Sequence, residues 1–405
     1  MCYLPFHDLY YEEVYNGEQD DIGQYRTCCI QKDASFPGKN IFKNGQDWFK
    51  NDPNLIEIRK QFLKGRWPDS CERCVLLESK GLKSYRHYLS EYYHRNNFPI
   101  PTSLEDAQLK TIDVRLSNKC NLMCRMCSVE FSNQHVKHQK EANEKGIYSI
   151  QGDRLDDLNR LAHKENSIRQ SDTEMLEDLV KFLVENDSVY KVKLAGGEPM
   201  IMPEIEKFID DLLNAGKHNL NLFFLTNATT VKPKIIEKLK KFASVELSCS
   251  VDGVGKWIEY QRWPCKWEQI KTNVETLLQS GLHVTLTPCW SHLNLFALPD
   301  FIDWVNTLEN LYFAACNMVN YPSYLAWELV PMKYRGPLID QLKTKRFTNN
   351  HIQANYQTFI DQIPNIVRSI TSKERKSLVN EVKLWDFKNP IPYRDRYEWA
   401  NDLLD

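Results

Sequence analysis

The chain has 405 residues, of which 42% are hydrophobic and 26% charged, and its formal net charge at pH 7 is −2. This composition is that of a globular protein with a buried core. The near-zero charge excludes wrapping of a nucleic acid backbone by overall positive charge. No apolar run reaches 18 residues, and the start MCYLPFHDLYYEEV lacks the pattern of a secretory signal. We therefore expect a cytoplasmic protein that does not enter a membrane.

Residues 1–105 lack a regular alternation of strands and helices and are rich in aromatic residues and cysteines. Cysteines in a reducing compartment usually serve metals or catalysis. Four thiolates with a tight CxxC half can form a closed site for zinc or for a fully ligated iron–sulfur cluster. We predict a separate metal-holding module here. Its candidate ligands are Cys2, Cys28 or the adjacent Cys29, Cys71 and Cys74.

Residues 106–330 alternate short apolar segments with amphipathic helical patterns. This alternation predicts a parallel sheet with right-handed crossovers, either open or closed into an incomplete barrel. Residues 132–170 interrupt it as a polar helical insertion, and residues 331–405 form a mostly helical extension. The six predicted strands are 111–116, 189–195, 220–226, 245–251, 283–288 and 311–318.

Chemically distinctive residues follow four of these strands. Three cysteines follow the first, the segment Gly196–Pro199 follows the second, Thr226-Asn227 closes the third and Asp252-Gly253 follows the fourth. Because the carboxyl ends of parallel strands meet at one edge, we expect these segments to form one site.

The segment SNKCNLMCRMCSVEF places Cys120, Cys124 and Cys127 within eight residues. Three thiolates can hold a [4Fe–4S] cluster while one iron keeps an open coordination position, as reactive metal sites require. The alternative is a zinc ion with His135 or His138 as a fourth ligand.

The spacing Cys120-x3-Cys124-x2-Cys127 resembles the signature of the radical S-adenosylmethionine (SAM) superfamily. The resemblance implies a partial (β/α)6 barrel whose open iron binds SAM. It also implies an external flavodoxin- or ferredoxin-like electron donor and reductive cleavage of SAM to a 5′-deoxyadenosyl radical. That radical takes a hydrogen atom from the substrate.

Further segments resemble motifs of the same superfamily. Gly196–Pro199 is similar to its GGEP motif, Thr226-Asn227-Ala228 to TNG, Ser250–Gly253 to SxDG, and Glu259–Arg262 to EYxR. Met126 stands where the superfamily often has an aromatic residue against adenine. The resemblance implies that SAM contacts Met126, Gly196, Gly197, Glu198, Pro199, Thr226, Asn227, Ser250, Asp252 and Arg262.

The amino-terminal cysteines are similar to the twitch and SPASM auxiliary-cluster modules of radical SAM enzymes. The shared elements are Gly23-x4-Cys28 and Cys71-x2-Cys74, although such modules usually follow the barrel. The permuted order resembles a group of twitch-domain proteins, many of them phage-encoded. It implies a second [4Fe–4S] cluster on Cys2, Cys28, Cys71 and Cys74, with structural zinc as the alternative.

These resemblances imply an enzyme, an isomerase or an oxidoreductase. One branch acts on amino-acid-modified thymidine during phage DNA hypermodification, and the alternative branch modifies a peptide side chain or a small metabolite. A hypothesis of another class is a non-catalytic iron–sulfur or zinc scaffold that binds a partner. The scaffold would form no 5′-deoxyadenosine under reducing conditions.

Overall fold

The computed structural model describes residues 2–14, 22–29, 31, 36–37, 40–45, 47–79, 84–115, 117–129, 131–147 and 173–405. Its centre is a nine-stranded sheet in the order β10-β8-β7-β6-β5-β4-β1-β2-β3, beside a two-stranded pair of β9 and β11. The strands are β1 (Asp8–Val14), β2 (Ile22–Arg26), β3 (Phe36–Pro37), β4 (Thr111–Arg115), β5 (Lys191–Ala195), β6 (Asn221–Thr226), β7 (Ser244–Cys249), β8 (His283–Leu286), β9 (Cys289–Trp290), β10 (Phe313–Ala314) and β11 (Asn317–Met318).

The predicted alternation of parallel strands and helices is confirmed. Strands β4 to β8 and β10 fall within or at the edge of the six predicted segments, and each is parallel to its neighbour. The helices are α1 (Leu4–His7), α2 (Trp48–Asn51), α3 (Pro53–Leu63), α4 (Glu72–Ser79), α5 (Tyr85–Arg95), α6 (Asn133–Glu144), α7 (173–185), α8 (Pro203–Asn214), α9 (Pro233–Leu239), α10 (Gly255–Gln261), α11 (Trp267–Gln279), α12 (Leu298–Asn306), α13 (Met332–Leu342), α14 (Asn350–Gln362), α15 (Ser372–Asp386), α16 (Tyr393–Arg396) and α17 (Ala400–Leu404).

Among the described helices, none combines the length and apolar character needed to cross a membrane. The insertion predicted at 132–170 contributes α6, and its residues 148–170 lie outside the described part of the chain.

The amino-terminal residues join the central sheet. Strand β1 lies parallel to β4, with Leu9 opposite Ile112 and Tyr11 opposite Val114. Strands β2 and β3 continue the sheet in antiparallel order. The division of the chain at residue 105 stays a prediction. The ladder of seven parallel strands includes β1 from before residue 105 and six strands from after it.

The two faces of the sheet differ in chemistry because side chains alternate along each strand. Strands β4 and β5 bury Ile112, Val114, Val192 and Leu194 completely, within one apolar core that includes Ile205 of α8. Their alternate residues, all polar or charged except Ala195, face the other side of the sheet. We call this second side the inner face.

The helical extension covers the outside of the cysteine-bearing loop. The Arg125 guanidinium lies 5.7 Å from the Trp385 ring centre in α15. The His138 ring nitrogen Nε2 forms a 2.8 Å hydrogen bond with the Leu384 carbonyl. The Tyr397 hydroxyl donates to the Leu293 carbonyl at 2.9 Å. The extension therefore supports the loop that carries Cys120, Cys124 and Cys127.

At the far end of β1 the Tyr93 hydroxyl donates a hydrogen bond to the buried carboxylate of Asp8. Burial raises the pKa of Asp8 from its ordinary 3.8 to about 6, against the opposing effect of Lys193. An acid whose folded pKa is raised loses stability as pH rises from its unfolded value to its folded value. Between pH 4 and pH 6 Asp8 therefore reduces the stability of the fold progressively.

We expect Asp8→Asn to stabilise the protein more at high pH than at low pH. Asparagine keeps an oxygen that accepts from Tyr93 and removes the cost of ionising a buried acid, about 3 kcal/mol at pH 8 for a pKa shift of about two units. The gain should be about 1–2 kcal/mol larger at pH 8 than at pH 5, measured by urea unfolding. Equal gains at the two pH values would contradict this account.

Candidate active site

The three clustered cysteines lie on a loop that follows β4 at the carboxyl edge of the sheet. Cys120 and Cys124 are 9% and 7% exposed, and Cys127 is half-buried. The main chain of the loop is bound on its far side, because the amide of Met123 donates to the Trp263 carbonyl at 2.7 Å. The amide of Arg125 similarly donates to a carbonyl of the α10 segment at 2.7 Å. The loop is therefore fixed before any cofactor binds.

All three residues are free thiols, and they lie close enough together to interact electrostatically. Burial raises the pKa of Cys124, and Cys127 and Cys120 raise it further, while Arg262 opposes them. Bound iron would reverse this cost, since a coordinated thiol is deprotonated by its metal. Three mutually close sulfurs without disulfides are a donor set that fits an iron–sulfur cluster.

Among the described residues, we find no fourth ligand for a zinc ion at the triplet. His135 Nε2 lies 3.0 Å from the Cys124 carbonyl oxygen, and His138 Nε2 bonds to the Leu384 carbonyl. No three His, Cys, Asp or Glu side chains in the described part of the chain are grouped so that they could hold a metal ion. The irons of a cubane cluster are spread over several ångströms, so the sulfurs that bind a cluster lie farther apart than those that bind one ion.

The Gly196–Pro199 segment packs directly on the cysteine loop. The Gly197 amide donates to the Ser117 carbonyl at 2.6 Å, and the Glu198 amide donates to the Lys119 carbonyl at 2.8 Å. A Cβ atom on Gly197 would lie 2.1 Å from the Lys119 oxygen. The close approach that requires glycine at this position is therefore to the main chain that leads into Cys120.

Glu198 joins the ends of two strands. Its carboxylate accepts from the Thr226 hydroxyl at 2.7 Å, from the Asn227 amide at 2.5 Å and from the Met200 amide at 3.0 Å. The side chain is 1% exposed, and burial raises its pKa. The side chains of Glu198 and Thr226 thus hold β5 and β6 together, and the main chain around them forms the edge of the site.

Asn227 connects this edge to the cysteine loop. Its side-chain amide donates to the Asn121 side-chain oxygen at 2.9 Å and lies 3.9 Å from the Cys120 sulfur. Ala228 follows with φ of 56°, a left-handed conformation that glycine adopts without strain. This conformation explains why the superfamily motif has glycine at that position.

Arg262 lies beside Cys124 and is paired with Asp252, and Ser250 lies next to Thr226. Arg262 Nε lies 2.6 Å from Asp252 Oδ2, and Arg262 Nη1 lies 3.7 Å from the Cys124 sulfur. Burial alone lowers the pKa of Arg262, but Asp252 and Cys124 raise it. Asp252 also accepts from the Cys289 amide at 2.7 Å, and the Ser250 amide donates to the Thr226 carbonyl at 2.8 Å. A permanent positive charge is therefore fixed beside the triplet.

An open cleft of about 1070 Å³ adjoins the triplet. Met126 and Cys127 line it on one side, and Glu374 and Glu381 of α15 line it on the other. Met126 thus has a half-buried thioether at the boundary between the cysteine loop and the cleft.

The structure brings the four predicted amino-terminal ligands together. Cys2, Cys28, Cys71 and Cys74 line one cavity, with Arg86 in its wall. The pKa of Cys2 is raised to about 12, chiefly by burial and to a smaller extent by the neighbouring Cys71 and Cys74. The adjacent Cys29 does not line this cavity. Four free thiols are the donor type of a fully ligated cluster or of zinc. Their sulfurs are not grouped tightly enough around one point to hold a single ion, so the wider span of a cluster fits this arrangement better.

Three residues that sequence analysis did not single out form a hydrogen-bonded bridge beside this cavity. The buried Gln31 side chain donates to the Ser70 hydroxyl at 2.8 Å and accepts from the Thr27 hydroxyl at 3.0 Å. It thereby connects the Cys28 loop to the turn before Cys71. A glutamine in an irregular segment carries no local pattern that would reveal such a bridge.

We expect Gly197→Ala to lose the triplet's metal-binding ability, because its new methyl group must displace the Lys119 carbonyl. The matched control is Gly336→Ala, which meets open space inside α13 and should stabilise that helix by about 0.5–1 kcal/mol. Iron content after anaerobic reconstitution, with a melting curve, checks both variants. Full iron loading of Gly197→Ala would contradict the assigned contact.

Residues 114–305 match the family model described as the radical SAM superfamily. A stretch of 136 residues is 29% identical to the radical SAM cyclopropyl synthase TigE of Paramaledivibacter caminithermalis, covering 33% of this chain and 25% of TigE. A stretch of 148 residues is 23% identical to an uncharacterized protein of Methanocaldococcus jannaschii, covering 36% of this chain and 40% of that protein.

The alignments thus span well under half the length of these two relatives. Among solved structures, Streptococcus suis SuiB bound to its precursor peptide SuiA aligns over 83% of this chain and 72% of SuiB, with 13% identity and a TM-score of 0.36. The matched residues include all three cysteines of the triplet, the Gly196–Pro199 segment and the Asp252–Arg262 pair. Residues 114–305, slightly less than half of the chain, therefore match a radical SAM domain.

Proposed function

We propose that the protein is a radical SAM enzyme whose catalytic cluster is held by Cys120, Cys124 and Cys127. The observation that carries this proposal is the placement of three mutually close thiols, two buried and one half-buried, at the carboxyl edge of the parallel sheet and inside the matched residues. Reductive cleavage of SAM at such a cluster supplies methionine and a 5′-deoxyadenosyl radical that takes a hydrogen atom from the substrate. An external flavodoxin- or ferredoxin-like protein would supply the electron.

The chain's own residues place SAM and exclude water from it. The Gly196–Pro199 main chain is anchored to the cysteine loop and offers its edge to the SAM amino group. The Arg262 guanidinium lies 3.7 Å from the Cys124 sulfur, and a guanidinium suits recognition of a carboxylate. Ser250, Asp252, Thr226 and Asn227 complete this boundary, with Met126 toward the adenine.

We also propose an auxiliary [4Fe–4S] cluster on Cys2, Cys28, Cys71 and Cys74. Four thiols around one cavity would ligate every iron, so this cluster would exchange electrons without binding the substrate directly. Arg86 adds a positive charge to the cavity wall, which favours thiolates over thiols.

For the substrate, two branches share one chemical feature, an amino-acid group. The first is an amino-acid-modified thymidine in DNA, on which the enzyme would act as an isomerase or other modifying enzyme. The second is a peptide side chain or small metabolite, and similarity to a cyclopropyl synthase over one third of the chain is compatible with it. A cytosolic location belongs to the same proposal.

We expect alanine at Cys120, Cys124 or Cys127 to reduce 5′-deoxyadenosine formation at least about 100-fold, because SAM cleavage needs the open iron. Cys316→Ala is the matched control, since this half-buried cysteine lies outside both cysteine sites. The assay uses anaerobically reconstituted protein with SAM and dithionite. SAM cleavage by a triplet variant would contradict the radical assignment. Absence of SAM cleavage by fully iron-loaded wild type would favour the non-catalytic scaffold.

We expect Cys2→Ala or Cys74→Ala to lower the iron content from about eight to about four atoms per chain, because two [4Fe–4S] clusters become one. The remaining cluster should still cleave SAM. Metal analysis of the purified variants checks this expectation, with Cys316→Ala again as the control. One zinc atom per chain that disappears in Cys74→Ala, with iron unchanged, would show that the cavity holds zinc.

A further inference from the structure

The inner face of the sheet carries opposite charges side by side. Asp113 in β4 and Lys193 in β5 are direct partners in the parallel register. Both side chains are half-buried, although the residues on either side of each are fully buried against the helices. Neighbouring strands lie about 4.8 Å apart, so these two side chains leave the sheet next to each other.

Nevertheless, these charges are not paired. In the part of the chain that the structure describes, no hydrogen bond or ion pair joins Lys193 to Asp113 or to any other carboxylate. Arg115, at the end of β4, has a buried Nε without a hydrogen-bond partner. Partly buried charges normally pair, because an unpaired one loses its solvation without compensation. The arrangement suits a ligand that supplies both missing partners.

Lys193 is held in its charged form. Burial alone lowers the pKa of Lys193, but Asp113 and Asp8 raise it above its ordinary value. Arg115 likewise stays charged, since Tyr10 and Asp113 outweigh the effect of burial on its pKa. At neutral pH the inner face therefore presents fixed cations beside a carboxylate.

This charged group lies between the two cysteine sites. Lys193 precedes Gly196 by three residues, about 10 Å along a strand, so it lies below the edge where SAM is proposed to bind. On its other side the charges of Cys29 and Cys28 act on Lys193. Cys28 also lines the cavity of the amino-terminal cysteines. A small molecule here would be within reach of both cysteine sites.

We propose that Asp113 and Lys193 bind the ammonium and the carboxylate of an α-amino acid group on the substrate. This inference rests on the proposed function and names the substrate class for the same site. One cation and one anion on adjacent strands match a zwitterion, whose two charges are separated by a single carbon. A phosphate would satisfy the cations but would be repelled by Asp113 and Asp8.

The test compares wild type, Lys193→Met and Asp113→Asn as reconstituted holoenzymes. The probes are the twenty L-amino acids, each added singly with SAM, followed by the carboxamide and the N-acetyl derivative of the tightest binder. Saturation-transfer NMR measures affinity, and 5′-deoxyadenosine measures stimulated cleavage. Lys207→Met and Asp211→Asn, both on the surface of α8, are the matched charge controls.

We expect at least one amino acid to bind wild type and to stimulate cleavage. Each substitution should weaken that binding at least about tenfold, because each removes a charge-assisted hydrogen bond. Lys193→Met should bind the acid and its carboxamide equally, and Asp113→Asn should bind the amine and its N-acetyl form equally. The surface controls Lys207→Met and Asp211→Asn should keep both the binding and the basal cleavage of SAM within about twofold of wild type.

If wild type cleaves SAM but binds none of the twenty amino acids, the inference is overturned. The inference would also be overturned if both variants still distinguished the amino acid from its carboxamide and its N-acetyl derivative as wild type does. Equally strong displacement of the amino acid by inorganic phosphate in wild type and Asp113→Asn would overturn it as well. If Lys193→Met does not fold, the nearly isosteric Asp113→Asn decides alone. Loss of all SAM cleavage in wild type would instead count against the proposed function, because NMR reports binding independently.

Discussion

The close contact between the cysteine loop and the Gly196–Pro199 segment is the constraint on which the site depends. Gly197 lies so near the Lys119 carbonyl that no side chain fits between them. Glu198 then extends the contact to the next strand through three hydrogen bonds. The ends of β4, β5 and β6 are thereby fixed as one unit. A cluster and SAM would be bound on main chain that is already in place, which lowers the entropic cost of binding.

Side chains alternate between the two faces of the sheet behind this edge, so the two faces differ in function. Apolar residues on one face pack against helices and supply the core, while the charged residues on the inner face are half-buried. Strand β1 matters here because it brings the amino-terminal cysteines to the same sheet. Its pairing with β4 leaves the Cys28–Cys29 loop close to Lys193. The two cysteine sites are thus joined by backbone hydrogen bonds, and the polar inner face lies between them.

Much of the core architecture could be predicted from the sequence because each parallel strand is a short apolar run followed by a distinctive turn. The grouping of Cys2, Cys28, Cys71 and Cys74 followed from chemistry, since four thiols in one irregular segment favour a shared site. Strand β1 was missed because Glu12 and Glu13 interrupt the apolar pattern of DLYYEEV, and its partner lies about 100 residues away. Long-range pairing of that kind leaves no local signal.

Side-chain contacts were the least predictable feature. The motif resemblance named Glu198 and Thr226 as SAM contacts, and the structure shows that their side chains bond to each other. Ion pairs such as Asp252–Arg262 depend on geometry that spacing does not reveal. The unpaired Asp113 and Lys193 became visible only when register placed them side by side. Sequence patterns predict which segments meet, whereas hydrogen-bond partners are set by the folded backbone.

We propose that two different clusters occupy the two cysteine sites and that only the cluster at the triplet binds SAM. Electron paramagnetic resonance of the dithionite-reduced protein, recorded with and without SAM, tests it most directly. We expect two overlapping signals in wild type, one of which shifts when SAM is added. The triple variant Cys120→Ala, Cys124→Ala, Cys127→Ala should keep one signal that SAM does not change. A remaining signal that still responds to SAM, or no signal from iron-loaded wild type, would contradict the account.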